Sequence, residues 1–438
     1  MAAPREKLVM PRRSARRHRA SFLVLLLLAG CASLPAVDGD IATAARSADP
    51  QGTLDLMRRQ EERIVHAPFI GGNDVRLLAN GQATYAAIAA AIAGAERRID
   101  METYEFDPVE GARFGDLLLA RRAAGVEVNL VFDSFGSLTT PNALIERLRQ
   151  GGVHVLEYNP MRFSLRVPFD PNRRDHRKLL VVDNAIVVTG GVNINQVYDN
   201  RRNHDDTPDG MVWRDTDVRI AGPAAIEFEH LFERTWRGQN GPPLPPLPPA
   251  PAEKPGGALV QAVGGAPVDG HPLIYRTLIV MISLARQSIH LTTGFFSPTP
   301  DLERALIAAA RRGVDIAIVV PAHSTSNTVI DAGRAHYERL LKAGVQIYER
   351  EGVVLHAKTA VIDGAWSSVG SANLDWRSVI YNNEINAVIL DRTFARALEA
   401  LFADDVAHSR RIDPATWSAR PLFERVKEHA AHLAEFLL

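Results

Sequence analysis

A single cysteine, Cys31, stands among 438 residues. No second thiol exists to close a disulfide, no Cys cluster exists, and no Asp, Glu and His grouping shows metal-ligand spacing, so no required metal and no cofactor is expected. Long apolar runs are missing too. Residues 21–30 (SFLVLLLLAG) are about half of what a helix needs to cross a bilayer. Charge of one sign is also lacking overall, at a net −1. Seven basic side chains and one acid fall within residues 1–30, which leaves 43 basic and 50 acidic residues, a charge of −7, in the rest. A body that acidic, without interleaved basic and aromatic residues, has no general attraction for nucleic acid. What remains is an ordinary globular composition, 46% hydrophobic and 23% charged, on a chain long enough for two sizeable cores.

The basic start, the short apolar run and Cys31 form the order of an export signal. Leu28-Ala29-Gly30-Cys31 resembles the lipobox of bacterial lipoproteins, in which the signal is cut before the cysteine and the cysteine carries lipid. Residues 1–30 are therefore expected to be a signal peptide and Cys31 a lipidation site. That places the mature protein in a bacterial cell envelope, lipid-anchored and facing the periplasm.

The body is written twice. RRAAGVEVNLVFD and ARRGVDIAIVVP are near copies, as are RLRQGGVHVLEY and RLLKAGVQIYER. Each copy alternates helical spacing with short apolar strands: helices near 83–94, 113–124 and 142–150 with strands near 98–104, 126–133 and 153–158, then helices near 301–312 and 335–343 with strands near 288–292, 314–321 and 345–349. A repeat this long implies two homologous α/β domains rather than a solenoid. We divide the chain into a lead-in (31–70), a first domain (71–240), a proline-rich linker (241–268), a second domain (269–405) and a C-terminal helical extension (406–438). The first copy has an insertion at 161–174, a candidate lid or lipid-contacting loop. Residues 421–438 gather Leu422, Phe423, Val426, Leu433, Phe436 and Leu437 on one helical face, suited either to a bilayer surface or to packing on the second domain.

The chemistry sits in the frame His-x-Lys-x-x-x-x-Asp, which occurs as His176, Lys178, Asp183 and again, 180 residues on, as His356, Lys358, Asp363. Each Asp is followed seven residues later by Gly (Gly190, Gly370) and ten later by Asn (Asn193, Asn373). Paired frames with matched trailers point to one composite site. Two imidazoles and two ammonium groups suit a phosphate diester: one His attacks phosphorus, the other protonates the departing oxygen, and the lysines neutralise the phosphoryl oxygens. Asn193, Asn373 and the Ser371 hydroxyl are candidate phosphate ligands. Each catalytic ring needs an acceptor on its other nitrogen. Asp183 and Asp363 are one option, beside turns they would also organise; Asp215 and Glu384, which precede matching strands in the two halves, are the preferred one.

HRKLLVVD…GGVN and HAKTAVID…GSAN resemble the paired motifs of the phospholipase D superfamily. DHRKLLVVDNAIVVTGGVNI, WRDTDVRIAGPAA, VGSANLDWRS and the ending AHSRRIDPATWSARPLFERV extend the resemblance, over roughly residues 75–438, to the bacterial cardiolipin synthase branch. The resemblance implies two phospholipase D-type α/β/α sandwich domains with the active site at their interface. It also implies metal-free phosphatidyl transfer through a phosphohistidine, with His176 as nucleophile and His356 as general acid and base. The expected partner is phospholipid, at a membrane reached through Cys31, with the C-terminal helix as a second candidate contact, and no nucleic acid. The expected reaction joins two phosphatidylglycerols into cardiolipin and glycerol; the alternative is hydrolysis to phosphatidic acid, with nuclease activity a remoter one. Gly191 departs from the pattern, which has Ser there, and an apparent lipoprotein signal stands where the branch has transmembrane helices.

Overall fold

The two sequence copies become two matching runs of strands. A computed structural model describes residues 37, 39, 50–161, 172–199, 210–246, 254–267, 270–324 and 326–437. The signal segment, Cys31, most of the 161–174 insertion and part of the linker lie outside the described residues.

In the first half the strand order is Ile70–Leu78, Asp217–Ala221, Ile186–Gly190, Leu179–Val182, Arg98–Thr103, Glu127–Asp133, His154–Tyr158. In the second it is Ala258–Ala266, Glu384–Leu390, Trp366–Gly370, Lys358–Ile362, Ser288–Thr293, Asp315–Pro321, Gln346–Arg350. Position by position the two orders correspond. They meet edge to edge, Ile70–Leu78 antiparallel to Ala258–Ala266, so that the described residues form one continuous sheet. The last three strands given for each half are parallel and joined by helices, while the motif hairpins are antiparallel; the second half adds a short edge strand, Ser409–Arg411, antiparallel to Gln346–Arg350. This is the α/β duplication read from the sequence, with one refinement: the halves share a sheet.

That shared sheet changes the linker boundary. Residues 241–268 read as a proline-rich spacer, yet 258–266 (ALVQAVGGA) hold no proline and form the strand that opens the second half. Prolines cannot donate to a ladder, so the strand begins only where they stop. The lead-in is structured as well. Helix Pro50–Val65 buries Met57 and Ile64, packs against helix Leu273–Leu284, and accepts a hydrogen bond from Trp366 Nε1 on Glu61 at 2.6 Å. It precedes the first half in sequence and supports the second in space.

Helices cover both sheet faces. On one face of the first half, Gly81–Ala93, Glu110–Ala123 and Asn142–Gln150 pack Tyr85, Ile92, Phe114, Leu118 and Leu148 onto the strands. The other core runs through both halves. Phe228, Phe232 and Trp236 from helix Ala225–Gly238 join Phe394 and Leu398 from helix Arg392–Ala407 around Val187, Ile220, Val260, Val361 and Ile389. Burying each such side chain contributes about 1.5–3 kcal/mol, so truncating Phe232 would cost about 3–5 kcal/mol and loosen both halves together. Helix starts follow local chemistry: Asn80 accepts from Ala83 N, Thr299 from Leu302 N, and Asp391 from Thr393 and Phe394 N.

Each motif hairpin closes on a two-residue turn with positive φ, Asp183-Asn184 (53° and 54°) and Asp363-Gly364 (53° and 59°). Left-handed pairs of this kind match the twist of the flanking strands, and Asp, Asn and Gly tolerate them best.

Candidate active site

The backbone just ahead of each motif strand decides where the chemistry sits. The segment carrying His176 runs beside the second half: His176 N donates to Asn383 O at 2.9 Å, and Asp175 bridges Asn383. The segment carrying His356 does the same in reverse. Val354–Leu355 pairs with Trp213–Arg214, and His356 N donates to Arg214 O at 2.8 Å. Each histidine is therefore tied to the residue just before the other half's buried carboxylate.

The side chains follow this exchange. His176 Nδ1 lies 3.0 Å from Glu384 Oε2, and His356 Nδ1 lies 2.7 Å from Asp215 Oδ2. With Nδ1 occupied, Nε2 is the nitrogen of each ring left for chemistry. Both rings are nearly buried, at 8% and 7% exposure, and both carboxylates are fully so. Glu384 is gripped further by the hydroxyls of Ser371 and Ser378, and Arg177 Nε donates to its backbone carbonyl at 3.1 Å. Asp215 Oδ1 accepts from Thr216 N at 2.7 Å.

Asp183 and Asp363, grouped with the catalytic residues in the sequence, stand elsewhere. Five residues of extended chain, about 16 Å, separate each from its lysine. Asp183 accepts from the backbone N–H groups of Glu96, Arg97 and Arg98 at 2.7–2.8 Å, and Asp363 from those of Arg286, Gln287 and Ser288 at 2.8–3.1 Å. They lash the far end of each hairpin to the start of its neighbouring strand. Ser371 is also not placed as a phosphate ligand: its proton goes to Glu384 and its oxygen accepts from Ile385 N at 3.0 Å. Asn193 and Asn373 do lie buried, each with an amide oxygen lacking a hydrogen-bond partner.

Glycines make these approaches possible. A Cβ on Gly190 would lie 2.1 Å from Asp217 Oδ1, and one on Gly370 2.1 Å from Asn386 Oδ1. At Gly191 a Cβ would lie 2.2 Å from Asp215 Oδ1. Where the second half has Ser371 reaching Glu384, the first has Gly191 making room for Asp215, which explains the departure from Ser.

Aromatic rings wall the site, and the sequence reading missed them. Tyr104 meets His176 edge-on at 5.1 Å, with Lys178 Nζ 5.0 Å above its face. Trp213 lies 5.2 Å from the His356 ring, and the Tyr198 hydroxyl is 3.0 Å from His356 Nδ1. Tyr198 and Ser378 each fall five residues after a trailing Asn, a repeated offset that could have flagged them.

Burial governs the titrations. It pulls His176 down to about 4, with Glu384 opposing and Lys178 assisting. Burial, then Lys358, pulls His356 down to about 3 against the upward pull of Asp215. Burial also brings Lys178 and Lys358 down to about 8, although Glu384 and Asp215 hold them up. Glu384 stays below the ordinary carboxylate value because, although burial raises it, His176, Lys178 and Ser371 outweigh that. Near neutral pH the site thus offers two neutral imidazoles and two cations. Neutral Nε2 is the nucleophilic form. An arriving phosphate anion would raise the second ring towards the protonated form that an acid requires.

Residues 88–236 and 278–406 match the family described as cardiolipin synthase, PLD-like domain. The chain is 34% identical over 380 residues to cardiolipin synthase A of Edwardsiella ictaluri (strain 93-146), covering 84% of this chain and 76% of that one. It is 32% identical over 386 residues to cardiolipin synthase of Geobacillus kaustophilus (strain HTA426), covering 86% and 74%. Among solved structures, phosphatidylserine synthase of Haemophilus influenzae Rd KW20 superposes with a TM-score of 0.66 over 87% of this chain and all of that one; at 14% identity this is a likeness of fold.

Proposed function

We propose a phosphatidyl-transfer mechanism for this chain, which belongs to the cardiolipin synthase family of phospholipase D-like proteins. The observation that carries it is the exchanged pairing, His176 with Glu384 and His356 with Asp215, together with the action of Lys358 on the His176 ring and of Lys178 on the His356 ring across the two halves.

His176 Nε2 attacks the phosphorus of phosphatidylglycerol. The P–N bond forms, the P–O bond to glycerol breaks, and the glycerol oxygen takes a proton from His356. His356 then removes the proton from a hydroxyl of a second phosphatidylglycerol, whose oxygen displaces His176 and yields cardiolipin. Lys178 and Lys358 balance the charge on the phosphoryl oxygens, and the Asn193 and Asn373 amides flank the same group. Glu384 and Asp215 hold Nδ1–H and stabilise each ring when it is cationic. Near-complete burial of both rings favours an acceptor carried in on lipid over bulk water.

Attachment to a bilayer follows in the same reading. Among the described residues no helix is long and apolar enough to cross a membrane. Helix Leu422–His432 turns Glu428 and Ala431 inward against helix Asn327–Lys342, while Leu422, Phe423, Val426 and nearby Leu433 are 58–78% exposed. The packed face and the exposed apolar face support a helix that rests on the second half and lies on the lipid surface. A lipidated Cys31 supplies the second tether that stable anchoring needs, on the periplasmic side of the envelope.

Detergent-solubilised protein incubated with phosphatidylglycerol should yield cardiolipin and glycerol by mass spectrometry, and His176→Ala should abolish both. Phosphatidic acid as the sole product would replace transfer by hydrolysis.

A further inference from the structure

The second half carries a cluster that phosphoryl chemistry does not use. His336, on helix Asn327–Lys342, is 2% exposed, with Nε2 2.8 Å from Glu435 Oε2. His432, at the end of helix Leu422–His432, brings Nδ1 to 2.9 Å from the same oxygen, yet that buried nitrogen has no partner in hydrogen-bond geometry. The candidate ligand atoms of His336, His432 and Glu435 all lie within 4.8 Å of one another. Ligands on one tetrahedral zinc stand about 3.3 Å apart, given Zn–N and Zn–O lengths of about 2.0–2.2 Å. The three atoms need only part slightly to surround an ion.

We propose that His336 Nε2, His432 Nδ1 and the Glu435 carboxylate bind one divalent ion of the zinc class, with water in the fourth position. The donor set of two imidazoles and one carboxylate is zinc-like. The surroundings are those of a metal-ligating histidine, whose second nitrogen is normally held by a carboxylate. His336 Nδ1 lies 2.6 Å from Glu303 Oε2, and Arg339 Nη2 holds that same oxygen at 2.8 Å. Ser297 Oγ donates to Glu435 Oε2 at 2.7 Å, fixing the third ligand. Without the ion, the same groups serve as a plain imidazole–carboxylate clamp.

The site is a fastener. It joins the C-terminal extension, with its exposed apolar face, to the segment running from Phe295, whose ring stands 6.2 Å from that of His356, to Ser297, whose N–H bonds Leu374 O at 2.8 Å. The ion takes no part in phosphatidyl transfer, so the inference stands or falls apart from the proposed reaction.

Full-length protein, stripped with EDTA, is titrated with zinc chloride and, separately, cobalt(II) chloride. After desalting, elemental analysis should find about one zinc per chain, Tm should rise by a few degrees, and cobalt should show the intense visible bands of four-coordination. His432→Ala should lose all three, while His408→Ala, on an exposed helix end, keeps them. Zinc below a tenth per chain, a weak six-coordinate cobalt spectrum, or equal zinc uptake by His432→Ala would overturn the proposal. The cobalt spectrum of the unaltered protein decides alone should His432→Ala fail to fold.

Discussion

Glu384→Gln keeps the shape of the side chain that holds His176 and removes its charge. The carboxylate is fully buried, 3.0 Å from Nδ1, and bonded by Ser371 and Ser378. In the proposed transfer the ring becomes cationic as its Nε2 lone pair moves to phosphorus, and Glu384 is the anion in contact with it. Removing one member of a buried charged pair costs about 3–5 kcal/mol. At 1.36 kcal/mol per decade, this predicts a fall in kcat/KM of about 10²–10⁴-fold. An amide N–H turned towards Nδ1 would also favour the tautomer with its proton on Nε2, which blocks attack. Asp183→Asn is the contrast, because that side chain tethers backbone N–H groups far along the hairpin. It should cost about 1–3 kcal/mol of stability while activity per folded molecule stays within about threefold, a ratio that corresponds to well under 1 kcal/mol. Initial rates of cardiolipin formation in mixed micelles, read beside thermal unfolding, separate the two effects. The reasoning fails if Glu384→Gln stays within tenfold of the unaltered protein, or if Asp183→Asn loses more than a hundredfold at unchanged Tm.

The pH profile of kcat/KM should decline above about 8 as the lysines lose their protons. An acid limb at an ordinary histidine value would contradict the buried neutral ring. In Glu384→Gln the alkaline limb should move to lower pH, since that carboxylate holds both lysines up. Gly191→Ser should push Asp215 off His356 and cut activity at least tenfold, and adding Asp215→Glu should recover part of it by copying the Ser371–Glu384 arrangement; full activity in Gly191→Ser would refute the steric account. Glu61, raised by burial from 4.5 to about 8, binds its proton more tightly folded than unfolded. Its contribution is therefore complete below the unfolded value and lost as pH climbs to about 8. Glu61→Gln should thus raise Tm at pH 9 more than at pH 5, and an equal change at both would count against a protonated Glu61.

Local pattern carried a large part of the fold. Helix Asn142–Gln150 begins and ends where helical spacing does, and the strands before and after it match their apolar runs to within a residue. The hairpin turns follow from Asp-Asn and Asp-Gly, which are local chemistry. Strands Ile70–Leu78 and Ala258–Ala266 escaped notice because glycine dilutes their apolar spacing. What identifies them is pairing with each other across almost 190 residues, which no local window contains. His336 and His432, almost a hundred residues apart, stand ring against ring only through the packing of the C-terminal helix.

By itself the sequence determined the duplication, the two histidine–lysine frames and the chemistry such groups perform, since each depends on residue type and short spacing. It also narrowed the ring-orienting carboxylates to Asp215 and Glu384 or the motif aspartates. Tertiary structure decided that each ring takes its carboxylate from the opposite half, that the motif aspartates bind backbone instead, and that a single sheet holds both halves in register. Those outcomes depend on contacts between residues about 140 to 210 positions apart, set by how two sheet edges and two cores close together.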